Sequence, residues 1–277
     1  MPPQTRLIIG IAGIPASGKS TLAQLVVDRT NTILKTNAES IERTEAIVVG
    51  LDGWHLTRAQ LATLPDPQLA KDRRGAHWTF DPDSYLEFVK NLRVPLPPSR
   101  SHSGLVVEPI IAPSFDHAIK DPDPAGVKVD PWHRIVVIEG LYCFLSVGAW
   151  KEAGEMLDER WLVAVDFEKA TERIVDRHVA SGVAGSVEVP FFCSCTPSGL
   201  LMDGVGSTME GKRERHAQYV RISDMIASAE SLRKTDGRFL LDNSLEPTRI
   251  LESVQDPAFF SPSYTNRTSV GTSITIE

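Results

Sequence analysis

The stretch Ile11–Gln24, IAGIPASGKSTLAQ, decides how the rest of the chain is read. Within it, Gly13-Ile14-Pro15-Ala16-Ser17-Gly18-Lys19-Ser20 matches G-x-x-x-x-G-K-[ST] without a gap; an apolar, strand-like run precedes it and a helix-like run follows. The residue types answer a physical demand. Glycines let consecutive backbone N–H groups turn inward and approach phosphate oxygens closely. The N-terminus of the following helix adds partial positive charge. Lys19 is spaced to reach the β- and γ-phosphates, and the Ser20 hydroxyl to sit on Mg2+. A plain glycine-rich turn does not explain Lys-Ser in that register. Gly10, Gly13 and Gly18 do not form G-x-G-x-x-G, so a dinucleotide reading fails. The loop predicts a bound nucleoside triphosphate and no more, because motors, switches, ATPases and kinases all share it.

Outward from the loop, apolar runs alternate with helix-like segments, the pattern of a parallel sheet wrapped by helices. RLIIGIAGI (6–14) reads as a buried strand, KSTLAQLVVDRTNTIL (19–34) as a helix and AIVVGLDGW (46–54) as a second strand. RIVVIEGLYCFL (134–145) and RWLVAVDFE (160–168) are continuous in apolarity, as strands covered on both faces are. KATERIVDRHVASG (169–182) reads as a helix stopped by Gly182, and EGKRERHAQYVRISDMIASAESLRK (210–234) as a long charged helix. GRFLLDNS (237–244) reads as a final strand, and residues 94–131, rich in Pro, Ser and Asp, as mostly loop. One domain over 1–259 is expected, with a frayed Ser/Thr-rich tail over 260–277.

Composition narrows the class. A net charge of −7 and a pI near 5.6 argue against a general nucleic-acid or anionic-membrane binder. Cys143, Cys193 and Cys195 are too few for a disulfide framework, and the lone Cys193-x-Cys195 has no second half to hold zinc. No apolar run approaches the length of a membrane span, and the strand-like run at Arg6 leaves no room for a leader peptide, so a cytoplasmic protein is expected.

Four further residues point at the phosphate. Glu139 ends the apolar strand RIVVIEG, where such proteins hold the hydration shell of Mg2+; alternatively it is a strand-end glutamate facing water. Asp52 ends the second strand, at the sheet edge where ligands bind in open α/β folds. A carboxylate there can take a proton from a substrate hydroxyl, although Asp-Gly is also an ordinary turn. Arg173 and Arg177 share one helical face, suited to clamping a transferring phosphoryl group or simply to meeting solvent. His178 reads as a surface or cap residue.

GIPASGKST, LDGWHLT, RRGAHWTFD, APSFDHAIKDP, VVIEGLY and ERIVDRHVASG, in this order, resemble the uridine kinase, phosphoribulokinase and pantothenate kinase superfamily, and most closely its uridine kinase-like branch. The resemblance covers residues 6–182 and thins beyond them. It implies an α/β P-loop kinase with a mainly parallel five-stranded sheet, flanking helices and a small lid over about 169–225. ATP would lie on Gly13, Pro15, Ala16, Ser17, Gly18, Lys19, Ser20 and Thr21, with Mg2+ held by Ser20 and Glu139. Asp52 matches the catalytic base, and Arg173 and Arg177 match lid positions that reach the phosphates. His55, Arg73, Arg74, Phe80, Asp81, Phe115, Asp116 and His117 match segments lining the acceptor pocket, while TFDPDSYLEF also reads as a helix start capped by Asp81 or Asp83.

The chain departs from the pattern in four places. Trp54 replaces the usual Phe, and Leu141 stands where Asn is common after Glu-Gly. AGSVEVPFFCSCTPSGLLMDGVGSTM (184–209) interrupts the lid, and Asp224 is preceded by Ser223 where the family pairs Asn with Asp. The expectation is an ATP- and Mg2+-dependent kinase acting on a hydroxyl of a small metabolite, with no nucleic-acid or membrane partner. The alternative is an ATPase or regulatory nucleotide-binding protein whose acceptor pocket has decayed, which the insert and Leu141 favour. Neither the acceptor nor the oligomeric state is legible.

Overall fold

β1 (Leu7–Ala12) runs through the middle of a sheet ordered β2-β5-β1-β6-β7-β8, where β2 is Glu45–Gly50, β5 His133–Gly140, β6 Glu159–Ala164, β7 Arg249–Val254 and β8 Ser273–Ile274. The computed structural model describes residues 4–36, 43–96, 107–116, 118–180, 236–254 and 273–274. β2 through β7 in this order are five parallel strands, as expected, and β8 adds a two-residue antiparallel edge. β1 and β5 lie at the centre and bury most of their residues, because apolar clusters cover both faces of the sheet. One cluster packs Leu22, Ala23 and Val27 of α1 (Lys19–Thr36) onto Ile9, Ile11 and Val137. The other gathers Tyr85, Phe88, Val89 and Leu92 of α4 (Pro82–Arg93) with Ile8, Val136, Ile138 and Trp150.

Register sets the site. Ile11 and Gly50 both pair with Glu139, so β1, β2 and β5 end level and their carboxyl ends form one edge. From that edge leave the phosphate loop, the 3-10 turn Leu51–Trp54, and Glu139 itself. Two short helices, α2 (Arg58–Leu61) and α3 (Pro67–Asp72), lead from the turn to α4. Beyond β5, α5 (Gly148–Glu155) and α6 (Phe167–Ala180) flank β6 in sequence, so Phe167 and Glu168 begin a helix rather than end a strand.

Two expectations are corrected. The segment expected to be loop over 94–131 contains an antiparallel hairpin, β3 (Ile110–Asp116) and β4 (Asp121–Val129). Its prolines hid the alternation, yet they are tolerated in a two-stranded ribbon of edges, and the register shifts between Ala112 and Ser114, around Pro113. GRFLLDNS is not a strand but holds the short helix α7 (Arg238–Asp242), with Leu240 fully buried. Asn243 N–H donates to Phe239 O, and Ser244 Oγ to Leu240 O, which closes the turn; tertiary packing overrides the strand propensity of Phe-Leu-Leu. The last parallel strand is instead RILESV.

Within the tail expected to fray, Ser273–Ile274 pairs with β7. The 184–209 insert, the expected helix 210–234 with Asp224, and Cys193 and Cys195 lie outside the described residues, as does His117. Cys143 is free and buried. Among the described residues no helix is long and apolar enough to cross a membrane.

Candidate active site

The phosphate loop takes the shape its residues predict. Ala16 (φ 63°) and Gly18 (φ 92°) both adopt left-handed backbone, a conformation that costs a non-glycine residue free energy and clusters at functional sites. Ser17 N–H donates to Ile14 O at 3.1 Å, and Leu22 N–H to Gly18 O at 2.9 Å, opening α1. A Cβ on Gly13 would stand 2.6 Å from Ser17 Oγ and 2.8 Å from Val163 O, so only glycine lets the loop close down. Inside it, Ser17 Oγ is buried and has no hydrogen-bond partner. Arg173 Nη1 donates to Ala16 O at 3.3 Å and to Ser253 Oγ at 2.8 Å, tying α6 and β7 to the loop. Arg177 stands four residues along α6; its side chain lies outside the described set, as does that of His178.

Ser20 Oγ donates to Glu139 Oε2 at 3.1 Å. Burial pushes the Glu139 carboxyl above its usual range; Asp52 pushes the same way, while Lys19 and the Ser20 hydrogen bond oppose it. A cavity of about 560 Å³ joins Pro15, Ala16, Lys19 and Ser20 on one wall with Asp52, His55, Arg74, Gly75 and Phe80 on another. Glu139, Leu141, Asp236 and Gly237 complete it.

Asp52 is exposed in the first turn after β2. His55 N–H and Nδ1 lie 3.2 and 2.8 Å from Asp52 O, so the His55 ring folds back on that turn. The ring stacks on Phe80, with centroids 3.9 Å apart, and lies 4.9 Å from Phe115. Arg74 bridges this aromatic group to the hairpin: it donates to Leu56 O and Lys120 O, pairs with Asp121 at 3.3 Å, and lies 5.4 Å over Phe115.

The other residues expected to line an acceptor pocket are placed differently. Arg73 pairs with Asp236 at 3.0 Å. Asp81 caps α4, accepting from Ser84 N and Ser84 Oγ, and lies outside this cavity. Asp116 accepts from Ala118 N and Ile119 N at the hairpin tip. Thr21 sits in the first turn of α1. Sequence reasoning missed Asp236 and Gly237, which close the cavity from beyond the lid region. Gly237 packs within Cβ reach of Ile14 and Phe167, so backbone from far along the chain abuts the phosphate loop. Only an Asp-Gly step ahead of an apolar run marked the place.

The residues fit a magnesium–nucleotide complex: a hydroxyl and a carboxylate already in contact, a lysine beside them, and a loop that a Cβ would block. Among the described residues no three His, Cys, Asp or Glu side chains gather to hold a metal alone.

No protein-family model matches the chain. It is 46% identical over 133 residues, 48% of this chain and 73% of the relative, to ATP-dependent kinase-like protein notR' of Aspergillus versicolor. It is 32% identical over 185 residues, 67% of this chain and 72% of the relative, to a candidate uridine kinase, C227.14, of Schizosaccharomyces pombe. Among solved structures, YFH7 of Saccharomyces cerevisiae, described as a candidate P-loop containing kinase with a circular permutation, superposes with a TM-score of 0.61 at 21% identity, covering 91% of this chain and 93% of that one. A candidate fructose transport system kinase from Silicibacter sp. TM1040 superposes at 0.58 with 20% identity, over 90% and 92%. These two likenesses are of fold.

Proposed function

The chain belongs to the uridine kinase-like branch of the P-loop kinases, and from that premise we propose that it transfers the γ-phosphoryl group of ATP to a hydroxyl of a small metabolite. The observation that carries the reading is the Ser20–Glu139 contact, in one cavity with Lys19 and Asp52. Neither a switch nor a bare nucleotide store needs an exposed carboxylate facing the phosphate loop across such a space.

In this mechanism the loop's N–H groups and Lys19 Nζ hold the phosphates and stabilise charge that develops on them. Ser20 and Glu139 would hold Mg2+, which when bound with ATP neutralises phosphate charge. Asp52 accepts the proton of the acceptor hydroxyl, and the His55 ring fixes the turn that carries it. Arg173, anchored on the loop carbonyl, and Arg177 add positive charge from α6. On the acceptor side His55, Arg74, Phe80 and Phe115 supply an aromatic and cationic wall, Arg73 acts through its pair with Asp236, and Asp81 and Asp116 stand further along the same segments; His117 is assigned to this side by its motif alone.

The test is ADP release with MgATP across nucleosides, sugars, glycerate, pantothenate and related vitamins. Acceptor-dependent turnover that Asp52→Asn lowers by about 10²–10⁴-fold, with ATP binding retained, is the expected result. An acceptor-independent rate that Asp52→Asn leaves intact makes the protein an ATPase and ends the kinase reading.

A further inference from the structure

A second cavity, of about 650 Å³, lies between α4 and the β3–β4 hairpin and shares His55 with the first. Trp54 and Phe88 form its floor; both are buried, and their rings lie 5.0 Å apart. α4 turns Ser84, Glu87, Phe88 and Asn91 toward it, the i, i+3, i+4, i+7 spacing of one helical face. Tyr85, Leu86, Val89 and Leu92 take the opposite face into the core.

The far wall is stiff. Pro109, Pro113, Pro122 and Pro124 line it, each with its φ fixed by the pyrrolidine ring. It is also pinned to the catalytic turn, because Gly53 packs so close to Pro113 that a Cβ would stand 2.1 Å from the Pro113 carbonyl oxygen. His55 lines both cavities, whereas Asp52, three residues before it, lines only the first, so a ligand that spans the two passes the His55 ring.

Charge separates the two cavities. Lys19 and Arg74 line the first, whereas among the described residues no lysine or arginine lines the second. Its carboxylates are Asp81, occupied in capping α4, and Glu87, an exposed side chain that forms no ion pair among the described residues. An anion entering this space meets carboxylates and aromatic faces. A cation meets Glu87 and the Trp54 ring, and an apolar body meets Phe88, Ile110 and the prolines.

We propose that this cavity receives the non-reacting part of the acceptor, and that this part is an apolar body bearing a protonated amine. The inference rests on the kinase reading for the word acceptor; the ligand chemistry rests on the cavity alone.

The test uses the full chain with a non-hydrolysable ATP analogue and three para-substituted benzyl alcohols, bearing aminomethyl, methyl or carboxylate groups. Calorimetric titration is expected to rank aminomethyl over methyl by about tenfold, the scale of a hydrogen bond to a charged group, with carboxylate weakest. Glu87→Gln, on an exposed helix face, is expected to erase the amine preference, and Asn91→Lys to reverse the order. The proposal is overturned if the carboxylate binds as well as the amine, if the preference survives Glu87→Gln, or if none of the three binds. ADP release is read separately. Ranked, Glu87-dependent binding with no acceptor-dependent ADP release removes the kinase reading and leaves the ligand class. Acceptor-dependent turnover of an anionic substrate, without any amine ranking, does the reverse.

Discussion

The Ser20 hydroxyl donates to Glu139 Oε2 across 3.1 Å, and the two residues stand 119 positions apart in the chain. The contact exists because β5 lies beside β1 with Ile11 level with Glu139, so the end of one strand faces the first turn of the helix that follows the other. It also carries a cost. Glu139 is held in a poorly solvated place with Asp52 nearby, and both push its carboxyl upward. A bound divalent cation inverts that balance, since its charge becomes the largest in the site. The ligand-free protein is thus strained electrostatically at the position where we propose Mg2+ to be held.

Glu139→Gln is accordingly expected to raise the stability of the ligand-free protein by about 0.5–2 kcal/mol at neutral pH, the usual gain when a functional site is relaxed. Folding raises the pKa of this group, so the stability linked to it is full below the ordinary carboxylate range. It falls as pH rises through the raised value. The advantage of the Gln variant should therefore be small in acid and grow toward neutral pH. Thermal unfolding across pH, with and without MgATP, checks this. The variant should also lose the extra stabilisation that Mg2+ adds to ATP. An advantage that does not vary with pH removes the electrostatic account.

Lys19→Ala is expected to lower ATP turnover by about 10²–10³-fold, as the loss of one charge-stabilising donor does elsewhere. The substitution leaves the loop's backbone unchanged but removes the charge that offsets the buried Glu139 carboxylate, so the melting temperature without nucleotide should fall only modestly. Single-turnover rates beside thermal unfolding separate the two effects. Unchanged turnover means that phosphate binds elsewhere.

The parts of the site that the sequence reveals are those written locally. Lys19 and Ser20 sit in a contiguous motif, and Asp52 and Glu139 each follow a run of apolar strand residues that marks a sheet edge. The five parallel strands were legible for the same reason, except that Phe239-Leu240-Leu241 mimicked the last one. The hairpin was not legible, because Pro113, Pro122 and Pro124 break the alternation that marks a ribbon, while its pairing tolerates them. Asp81 fitted both a helix cap and a pocket residue; its hydrogen bonds to Ser84 cap α4, and it lines the second cavity rather than the first. Asp236 carried no local signal beyond its Asp-Gly step; its position depends on Arg73, which is 163 residues away.

That pair yields a third prediction. Arg73→Ala leaves the Asp236 carboxylate, 13% exposed, without its cation. The expected loss is about 1–3 kcal/mol, the scale for uncovering a partly buried charge. Asp236→Asn should cost less, and the double variant should cost about as much as Asp236→Asn alone. Burial raises the Asp236 pKa and Arg73 lowers it, so removing Arg73 moves it up further. The deficit of Arg73→Ala should then shrink in mild acid, where Asp236 takes up a proton. Denaturant titrations at neutral and mildly acidic pH measure both effects. Additive losses with no pH dependence would show that the two side chains act separately.

Gly53→Ala tests whether the hairpin and the Leu51–Trp54 turn are one unit. The added Cβ would meet the Pro113 carbonyl oxygen at 2.1 Å and its carbon at 2.5 Å, and neither is the movable end of a flexible side chain. Either β3 or the Leu51–Trp54 turn has to shift, at a cost of about 1–3 kcal/mol. A shift of the turn displaces Asp52, so the acceptor-dependent kcat should fall, while ATP affinity, set by the phosphate loop, stays close to wild type. Nucleotide titration, steady-state kinetics and thermal unfolding on one preparation read the three quantities. If stability falls and kcat holds, the hairpin has moved alone and is not what positions Asp52.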